Sequence, residues 1–316
     1  MRVGVTVIAG EGPRLRRPLV GYGMVLVAAA LFGVNGSVAK VALSSGMSSL
    51  RLTEARCAGA CVGLMLIVLV RSPAALRISR AEVLRLAVFG VCGVALVQLF
   101  YFLAIHRLAI GIALLIQYLG PLLVAIYART FGHERVRRRI WAALALSLTG
   151  LALMVELWQG VALDGLGVVF ALISAVIFAA YLLLAEYEVG LRDPVSLMAW
   201  GFFFATVFWT VVQPWWSFPA GRVAKTVSLQ GRLMDWHLPV WALVLWVVVL
   251  GSIVPFVLIV GALRHVSATR VGIAAMLEPV VATIVAWAWL RETLTPVQLA
   301  GAGVVLAAIL LAQTAR

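Results

Sequence analysis

Ten long runs of apolar residues, separated by short polar or arginine-bearing loops, make up most of the chain. Each run has about the 20 mostly apolar residues that a helix needs to cross a bilayer. The sequence therefore predicts ten membrane-spanning helices in an all-α protein. Their predicted limits are 19–42, 50–70, 83–105, 108–131, 139–157, 165–185, 195–218, 239–262, 267–290 and 296–314.

Two stretches of the chain, 104–154 and 262–312, share one arrangement of apolar and polar positions without a gap. Each stretch is apolar up to a proline in its middle and reaches a glutamate thirteen residues after that proline. These positions are Pro121 and Glu134 in the first copy, and Pro279 and Glu292 in the second. Duplicated halves with proline-broken apolar helices are typical of secondary transporters.

The duplication divides the chain into a first repeat, 19–157, and a second repeat, 165–314, with five spans each. Because each repeat crosses the membrane an odd number of times, the second repeat must be inverted relative to the first. The predicted linker is a short turn at 159–165. An inverted repeat lets equivalent contacts serve two opposite-facing conformations.

The arginines favour one side of this topology. They are frequent before the first span and in the loops after the second and fourth spans, whereas fewer lie on the other side. Short cytoplasmic loops carry an excess of Arg and Lys. We therefore expect a multi-pass protein of the bacterial cytoplasmic membrane, with both termini in the cytoplasm.

Composition agrees with a membrane protein. The 316 residues are 64% hydrophobic and 12% charged, with a mean hydropathy of +1.10. Soluble domains have roughly 45–50% apolar and about 25% charged residues. The net charge of +13 is carried mainly by the loops, so it indicates membrane orientation and not a nucleic-acid partner.

The sequence shows no set of residues typical of a metal or cofactor site. Cys57, Cys61 and Cys92 all lie in apolar stretches, and no histidine stands at ligand spacing from them. Buried cysteines of this kind usually pack as small apolar residues. There is no Walker-type glycine loop for ATP. We expect no cofactor and no metal.

Several segments together resemble the EamA branch of the drug/metabolite transporter superfamily. They are residues 31–40 (LFGVNGSVAK), Arg56 early in the second span, and the two proline-centred segments. Residues 111–122 (GIALLIQYLGPL), 268–279 (ATRVGIAAMLEP) and 292–299 (ETLTPVQL) are most similar to amino-acid exporters of the threonine/homoserine type. The resemblance implies ten helices in two inverted EamA repeats.

One position departs from those exporters. They tend to carry a glutamate four residues before the first proline, where this chain has Gln117. An amide cannot take up a proton, so the resemblance carries no coupling role to the fourth span.

Glu278 is the leading candidate for a functional group, because charged residues inside a membrane usually face a cavity. It stands near the middle of the ninth span, directly before Pro279. Proline has no N–H, so the carbonyl of Ala275 loses its helical partner and the helix can bend. A carboxyl beside such a break is a candidate proton or amine site. The alternative is a structural carboxyl that pairs with Arg270 or a neighbouring helix.

Gln117 and Tyr118 occupy the matching depth of the fourth span, where Pro121 frees the carbonyl of Gln117. If the halves pack about a pseudo-two-fold axis, both side chains approach Glu278. Amide and phenol groups suit a zwitterionic or hydroxylated solute. Alternatively, these side chains hydrogen-bond neighbouring helices.

Further polar residues could line an outward vestibule or the chamber wall. They are Asn35 and Lys40 in the first span, Glu54 and Arg56 in the second, Gln98 and Tyr101 in the third, and Tyr181, Trp200 and Ser252 in the second repeat. Lys40, Glu54 and Arg56 also lie near enough to an interface to snorkel and pair with each other. Trp200 is a candidate cavity wall or a packing aromatic.

Two glycine patterns permit close helix approach, Gly301-Ala302-Gly303 and Gly21-x-Gly23. They predict packing seams within the chain, with a dimer face as the alternative. We expect a monomer or homodimer with the lipid bilayer and a small-molecule substrate as its partners.

The predicted function is secondary transport that exports amino acids or related small metabolites by alternating access, with proton coupling through Glu278 as a hypothesis. An efflux carrier for drugs or other cationic compounds is the alternative. An intramembrane transferase is disfavoured, since His106, His133, His237 and His265 are scattered singly. A pore would need continuous rings of polar residues, which the spans do not offer.

Overall fold

The computed structural model describes residues 17–132, 136–157 and 164–314, and in them it places ten helices long and apolar enough to cross a membrane. They are α1 Pro18–Leu43, α2 Ser49–Arg71, α3 Arg80–Ile105, α4 Ile110–Thr130, α5 Arg138–Val155, α6 Gly165–Glu188, α7 Pro194–Val212, α8 Val240–Ala262, α9 Ala268–Leu290 and α10 Pro296–Thr314. The prediction of ten spans is confirmed. Glu134 and most of the linker at 159–165 lie outside the described residues.

The largest difference in limits concerns α7, which ends at Val212 and not at residue 218. Gln213 is extended, with φ −133° and ψ 96°. It precedes Pro214, and a proline disfavours helical backbone in the residue before it. We call the face where α1 begins the near face and the face where α1 ends the far face.

Helices α4 and α9 are broken at matching positions. The first part of α4 spans Ile110–Gln117 and the first part of α9 spans Ala268–Ala275, eight residues in each case. Both helices resume within two or three residues, with Pro121 or Pro279 in the first turn of the second part. The missing proline N–H explains why both breaks fall there.

Helices α3 and α8 share a second irregularity that the sequence analysis did not predict. Each contains a π-helical stretch, Phe89–Leu96 in α3 and Val249–Ile253 in α8. Both stretches contain glycines in close contact: a Cβ on Gly93 would lie 2.6 Å from Tyr181, and one on Gly251 would overlap Asn35. Such π stretches often occur at functional sites.

The far-face loop between α7 and α8 folds over the end of α9. It contains a short helix, Ala220–Val223, and an antiparallel pair of strands, β1 Thr226–Ser228 and β2 His237–Pro239. Trp289 Nε1 donates to the Leu229 carbonyl at 3.0 Å. This loop therefore anchors the far end of α9.

One glycine in each predicted seam makes close contact within the chain. A Cβ on Gly301 would lie 2.6 Å from the Gly150 carbonyl oxygen, so α10 and α5 touch through their backbones. A Cβ on Gly21 would lie 2.9 Å from the side chains of the α8–α9 loop. A Cβ on Gly303 or Gly23 would have no contact within 4 Å among the described residues. The first glycine of each pattern is thus a packing position, and the second lies on an open surface.

Gly301→Val is expected to destabilise the protein, because overpacking a close contact typically costs about 1–3 kcal/mol. Gly303→Val is the matched control, two residues along the same helix. Thermal unfolding in detergent should show a lower midpoint for the first variant and an unchanged midpoint for the second. Equal midpoints for the two variants would contradict the assigned α5–α10 contact.

Candidate functional site

Side chains from both repeats meet in the middle of the bundle. The Tyr118 hydroxyl, at the break of α4, donates to Glu278 Oε2 at 3.0 Å, beside the break of α9. Tyr118 is buried, while Glu278 is half-buried. The predicted approach of the two proline-broken helices is therefore present through this pair.

The same hydroxyl also reaches the carbonyl that the proline leaves without a helical partner. Tyr118 Oη lies 3.4 Å from the Ala275 oxygen, one turn before Pro279. A phenol has a single proton to donate, so it can donate to the carboxylate or to the carbonyl, but not to both. A side chain of the first repeat thus serves two acceptors of the second repeat.

Arg56 extends from α2 into the same region. Its Nε donates at 3.1 Å to Ser252 Oγ, in the π-helical part of α8, and Ser252 Oγ donates in turn to the carbonyl of Val247 at 2.9 Å. The guanidinium carbon lies 6.0 Å from the centroid of the Phe256 ring, at the limit of a cation–π contact. Within the described part of the chain, the two terminal nitrogens have no hydrogen-bond acceptor.

The charges of Arg56 and Glu278 act on one another, and Tyr101 also lies within the field of Glu278. No ion pair joins Arg56 to Glu278 among the described residues. Both side chains are half-buried. We call the mid-depth region bounded by Arg56, Tyr101, Tyr118 and Glu278 the polar chamber.

Aromatic side chains from five helices pack together in the near half of the bundle. Phe256 contacts Phe32 and Phe202 at ring-centroid distances of 5.3 Å, and it contacts Tyr181 at 6.3 Å. Phe89 stacks on Tyr181 at 5.6 Å. These residues belong to one continuous apolar core that joins α1, α2, α3 and α6 to α9. That core closes the chamber toward the near face.

In the far half of the bundle, the helices that carry the chamber residues are packed in separate apolar clusters. One cluster joins α1, α2 and α8 around Val41 and Leu243. The other joins α3, α4 and α6 around Ala104 and Ile112. Because no single core seals these helices together, we interpret the far side as the open side of the chamber.

The interhelical loops show the same difference between the two faces. On the near face, Arg264 of the α8–α9 loop donates to the carbonyls of Val189 and Arg192 in the α6–α7 loop, at 3.4 and 3.1 Å. The α3–α4 loop is its duplicate on the far face. There Arg107 bonds Asp164 at 3.4 Å, and the described hydrogen bonds do not join it to the α1–α2 loop. We call the near-face pair of loops the near gate and its duplicate the far gate, and from these contacts we interpret the near gate as closed and the far gate as open.

Gln117 does not face Glu278, which corrects the expectation for this residue. Its Nε2 donates to Ser174 Oγ at 3.0 Å, and Ser174 donates to the Val97 carbonyl at 3.1 Å. Successive residues on a helix point about 100° apart, so Tyr118 and Gln117 cannot share one direction. Gln117 therefore joins α4 to α6, as in the interhelical alternative.

The expected pairing of Lys40, Glu54 and Arg56 with each other is also wrong. Lys40 pairs with Glu292 at 2.7 Å, which joins α1 to the end of α9. Glu54 pairs with Arg51 at 2.6 Å on its own helix. Arg56 pairs with neither of these residues and bonds Ser252 in the chamber. Glu278 bonds Tyr118 and does not pair with Arg270, its alternative partner. Arg270 forms a hydrogen bond with Tyr22, closer to the near face.

The remaining candidates differ in their surroundings. Asn35 is buried against Gly251, and its Oδ1 has no partner among the described residues, as is true of Gln98 Oε1. Tyr101 is half-buried near the chamber. Trp200 packs on Phe203 and Phe204 at centroid distances of 5.3 and 6.1 Å, which is the packing alternative. An unpartnered buried oxygen is uncommon in proteins.

Two residues of this region were not predicted from the sequence. Phe256 packs against the guanidinium group of Arg56, and Phe32 packs on Phe256 on the side toward the near face. Phenylalanine is common in membrane spans, so neither residue stands out by type. The signal that could have found Phe256 is its place after Pro255 and within one turn or so of Gly251-Ser252. The duplicate span, α3, also carries two closely spaced glycines.

Comparison with known proteins places the chain among transporters. The model of the EamA-like transporter family matches residues 19–156 and 165–314. The threonine/homoserine exporter RhtA of Escherichia coli (strain K12) is 28% identical over 301 residues, which cover 93% of this chain and 92% of that protein. RhtA of Salmonella typhimurium (strain LT2) is 26% identical over 264 residues, covering 83% and 79%.

Two further similarities support the same architecture. An uncharacterized transporter of Archaeoglobus fulgidus is 28% identical over 229 residues, which cover 72% of this chain and 75% of that protein. A solved crystal structure matches the fold with a TM-score of 0.71 at 16% identity, covering 93% of this chain and 95% of that one. The second match concerns the fold alone.

A thiol reagent that cannot cross the membrane should reach the chamber from the far face. In a variant whose native cysteines are replaced by alanine, Gln98→Cys is expected to react from that face faster than Phe202→Cys, because Phe202 belongs to the closed core. Labelling rates in vesicles of both orientations measure this difference. Equal rates from the far face, or faster labelling of Phe202→Cys, would contradict the open far half.

Proposed function

The chain belongs to the EamA-like transporter family, and we propose that it exports amino acids or related small metabolites across a bacterial cytoplasmic membrane by alternating access. The observation that carries this proposal is the contact of Tyr118 with Glu278. It joins the two repeats at mid-depth, beside two helix breaks, in a chamber open to one face. Substrate sites of inverted-repeat transporters occupy this place.

We propose that the near face is cytoplasmic. The near-face ends and loops carry Arg71, Arg77, Arg85, Arg129, Arg137, Arg138, Arg139, Arg192 and Arg264. An excess of arginine marks the cytoplasmic side of a membrane protein. With this orientation both termini are cytoplasmic, and the chamber of this structure is open to the outside.

The inverted duplication supports a second, inward-open conformation. Because each loop has a duplicate on the opposite face, the contact of Arg264 with the α6–α7 loop can be exchanged for a contact of the α3–α4 loop with the α1–α2 loop. Opening of the near gate would also separate Phe256 from Tyr181 and Phe202. The chamber would then face the cytoplasm.

The charges in the chamber favour an amino acid over a cationic drug. Glu278 and the aromatic rings alone would suit a hydrophobic cation. Arg56 stands in the same chamber and repels such a cation, whereas it attracts a carboxylate. The similar exporters named for threonine and homoserine support the same substrate class.

Proton coupling through Glu278 is part of this proposal. Glu278 is a carboxyl group at mid-depth whose described hydrogen bond comes from a neutral phenol. Export would be driven if a proton entered on Glu278 while the amino acid left. A gradient of one pH unit coupled to one proton can drive about tenfold accumulation.

An imposed pH gradient is expected to drive L-threonine or L-homoserine across liposomes that contain the purified protein, in the direction opposite to the protons. Tetraphenylphosphonium serves as the cationic comparison. Uptake of radiolabelled solute measures both. Movement of the cation together with absence of amino-acid transport would overturn the proposal in favour of cationic efflux.

Glu278→Gln is expected to abolish accumulation driven by the pH gradient, since an amide cannot carry the proton. Glu292→Gln is the matched control, because Glu292 pairs with Lys40 at the exposed end of α9. Accumulation ratios with and without the gradient separate the two variants. A gradient-dependent ratio in Glu278→Gln equal to that of the wild type would exclude Glu278 as the proton carrier.

A further inference from the structure

Arg56 and Glu278 each keep one side of their charged group free. Arg56 commits Nε to Ser252 and leaves its two terminal nitrogens without an acceptor among the described residues. Glu278 commits Oε2 to Tyr118, and the described part of the chain provides no hydrogen-bond donor for Oε1. The two groups belong to opposite repeats and their charges interact, while the ion pairs of the described residues include none between them.

A free α-amino acid carries one positive and one negative group on the same carbon. We propose that the terminal nitrogens of Arg56 bind the α-carboxylate, and that Glu278 together with the Tyr118 oxygen binds the α-ammonium group. This inference deepens the proposed function and rests on it. It assigns a polarity to the chamber, with the substrate carboxylate toward α2 and α8 and its ammonium group toward α4 and α9.

The fixed orientation of Arg56 suits carboxylate recognition. The hydrogen bond from Nε to Ser252 and the ring of Phe256 hold the guanidinium plane, and Ser252 is itself held by the Val247 carbonyl. The two terminal nitrogens of a held guanidinium can donate in parallel to both carboxylate oxygens. A lysine ammonium at this position would offer charge without the planar pair of donors.

Tyr118 completes the ammonium site. While its proton is donated to Glu278, its oxygen lone pairs are free to accept from the substrate. An ammonium group has three donors, so it can bond Glu278 Oε1 and Tyr118 Oη at once. The substrate thereby contacts α4 of the first repeat and α9 of the second.

The pair of opposite charges selects against solutes with a single charge. A cation bound at Glu278 leaves Arg56 uncompensated in a partly desolvated chamber, and an anion bound at Arg56 leaves Glu278 uncompensated. An unpaired charge of this kind is strongly unfavourable. A zwitterion satisfies both groups, so removal of either substrate charge weakens binding.

Three probes separate the two half-sites: L-threonine, L-threoninol, which lacks the carboxylate, and 2,3-dihydroxybutanoate, which lacks the ammonium group. Their inhibition constants against L-threonine exchange are measured in liposomes. For the wild type, both analogues are expected to bind at least about tenfold more weakly than L-threonine, as loss of one charge–charge contact implies.

The variants should lose this discrimination selectively. Arg56→Gln is expected to bind L-threonine and L-threoninol alike and still discriminate against 2,3-dihydroxybutanoate. Glu278→Gln is expected to bind L-threonine and 2,3-dihydroxybutanoate alike and still discriminate against L-threoninol. Arg56→Lys is expected to retain part of the carboxylate discrimination and serves if the glutamine variant fails to fold. Arg71→Gln, at the exposed end of the same helix, should match the wild type.

The outcomes distinguish this inference from the proposed function. Equal inhibition by all three probes in the wild type would overturn the assigned polarity, and so would discrimination that survives in both the Arg56 and the Glu278 variants. In either case, L-threonine exchange by the wild type would still support the proposed amino-acid transport. A wild-type protein that exchanges no amino acid would overturn both.

Discussion

A charged side chain in the middle of a bilayer has no water around it unless the protein encloses some. Charges at that depth are costly and usually face a cavity. Arg56 and Glu278 place opposite charges there, and their surroundings follow from this constraint. The helices bearing or facing them are irregular: α9 is broken before Pro279, α4 before Pro121, and α8 contains a π-helical stretch. Irregular backbone at membrane depth is tolerated where it lines a cavity.

The duplicated scaffold is symmetric in its backbone but asymmetric in its chemistry. The breaks of α4 and α9 coincide, as do the π-helical stretches of α3 and α8. Glu278, however, has Gly120 as its counterpart, and a Cβ on Gly120 would already lie 2.7 Å from Phe178. The first repeat thus has no room for a second carboxyl at this position. It contributes Tyr118 instead, so each repeat supplies a different part of the candidate site.

The sequence alone predicted the membrane spans, because a run of about twenty apolar residues between polar loops has few alternatives to a membrane-spanning helix. It was also sufficient to place the helix breaks, since a proline acts on the residues of its own turn. It failed where partners come from elsewhere in the chain. Lys40 pairs with Glu292 and not with Glu54, and Gln117 bonds Ser174 and not Glu278. These partners depend on how each helix is rotated relative to its neighbours, and the spacing of residues along the sequence does not determine that rotation. The π-helical stretches were not predicted either, and their glycines contact Asn35 and Tyr181, which belong to other helices.

Exchange between an outward-open and an inward-open chamber is most directly tested by two distances measured in one preparation. Spin labels at Ser44 and His106 report the far gate, and labels at Leu191 and Ser267 report the near gate. Addition of L-threonine at a pH that permits exchange should shorten the far distance and lengthen the near distance in the same population. Distances that both remain fixed, or that both lengthen, would contradict alternating access around a chamber shared by the two repeats.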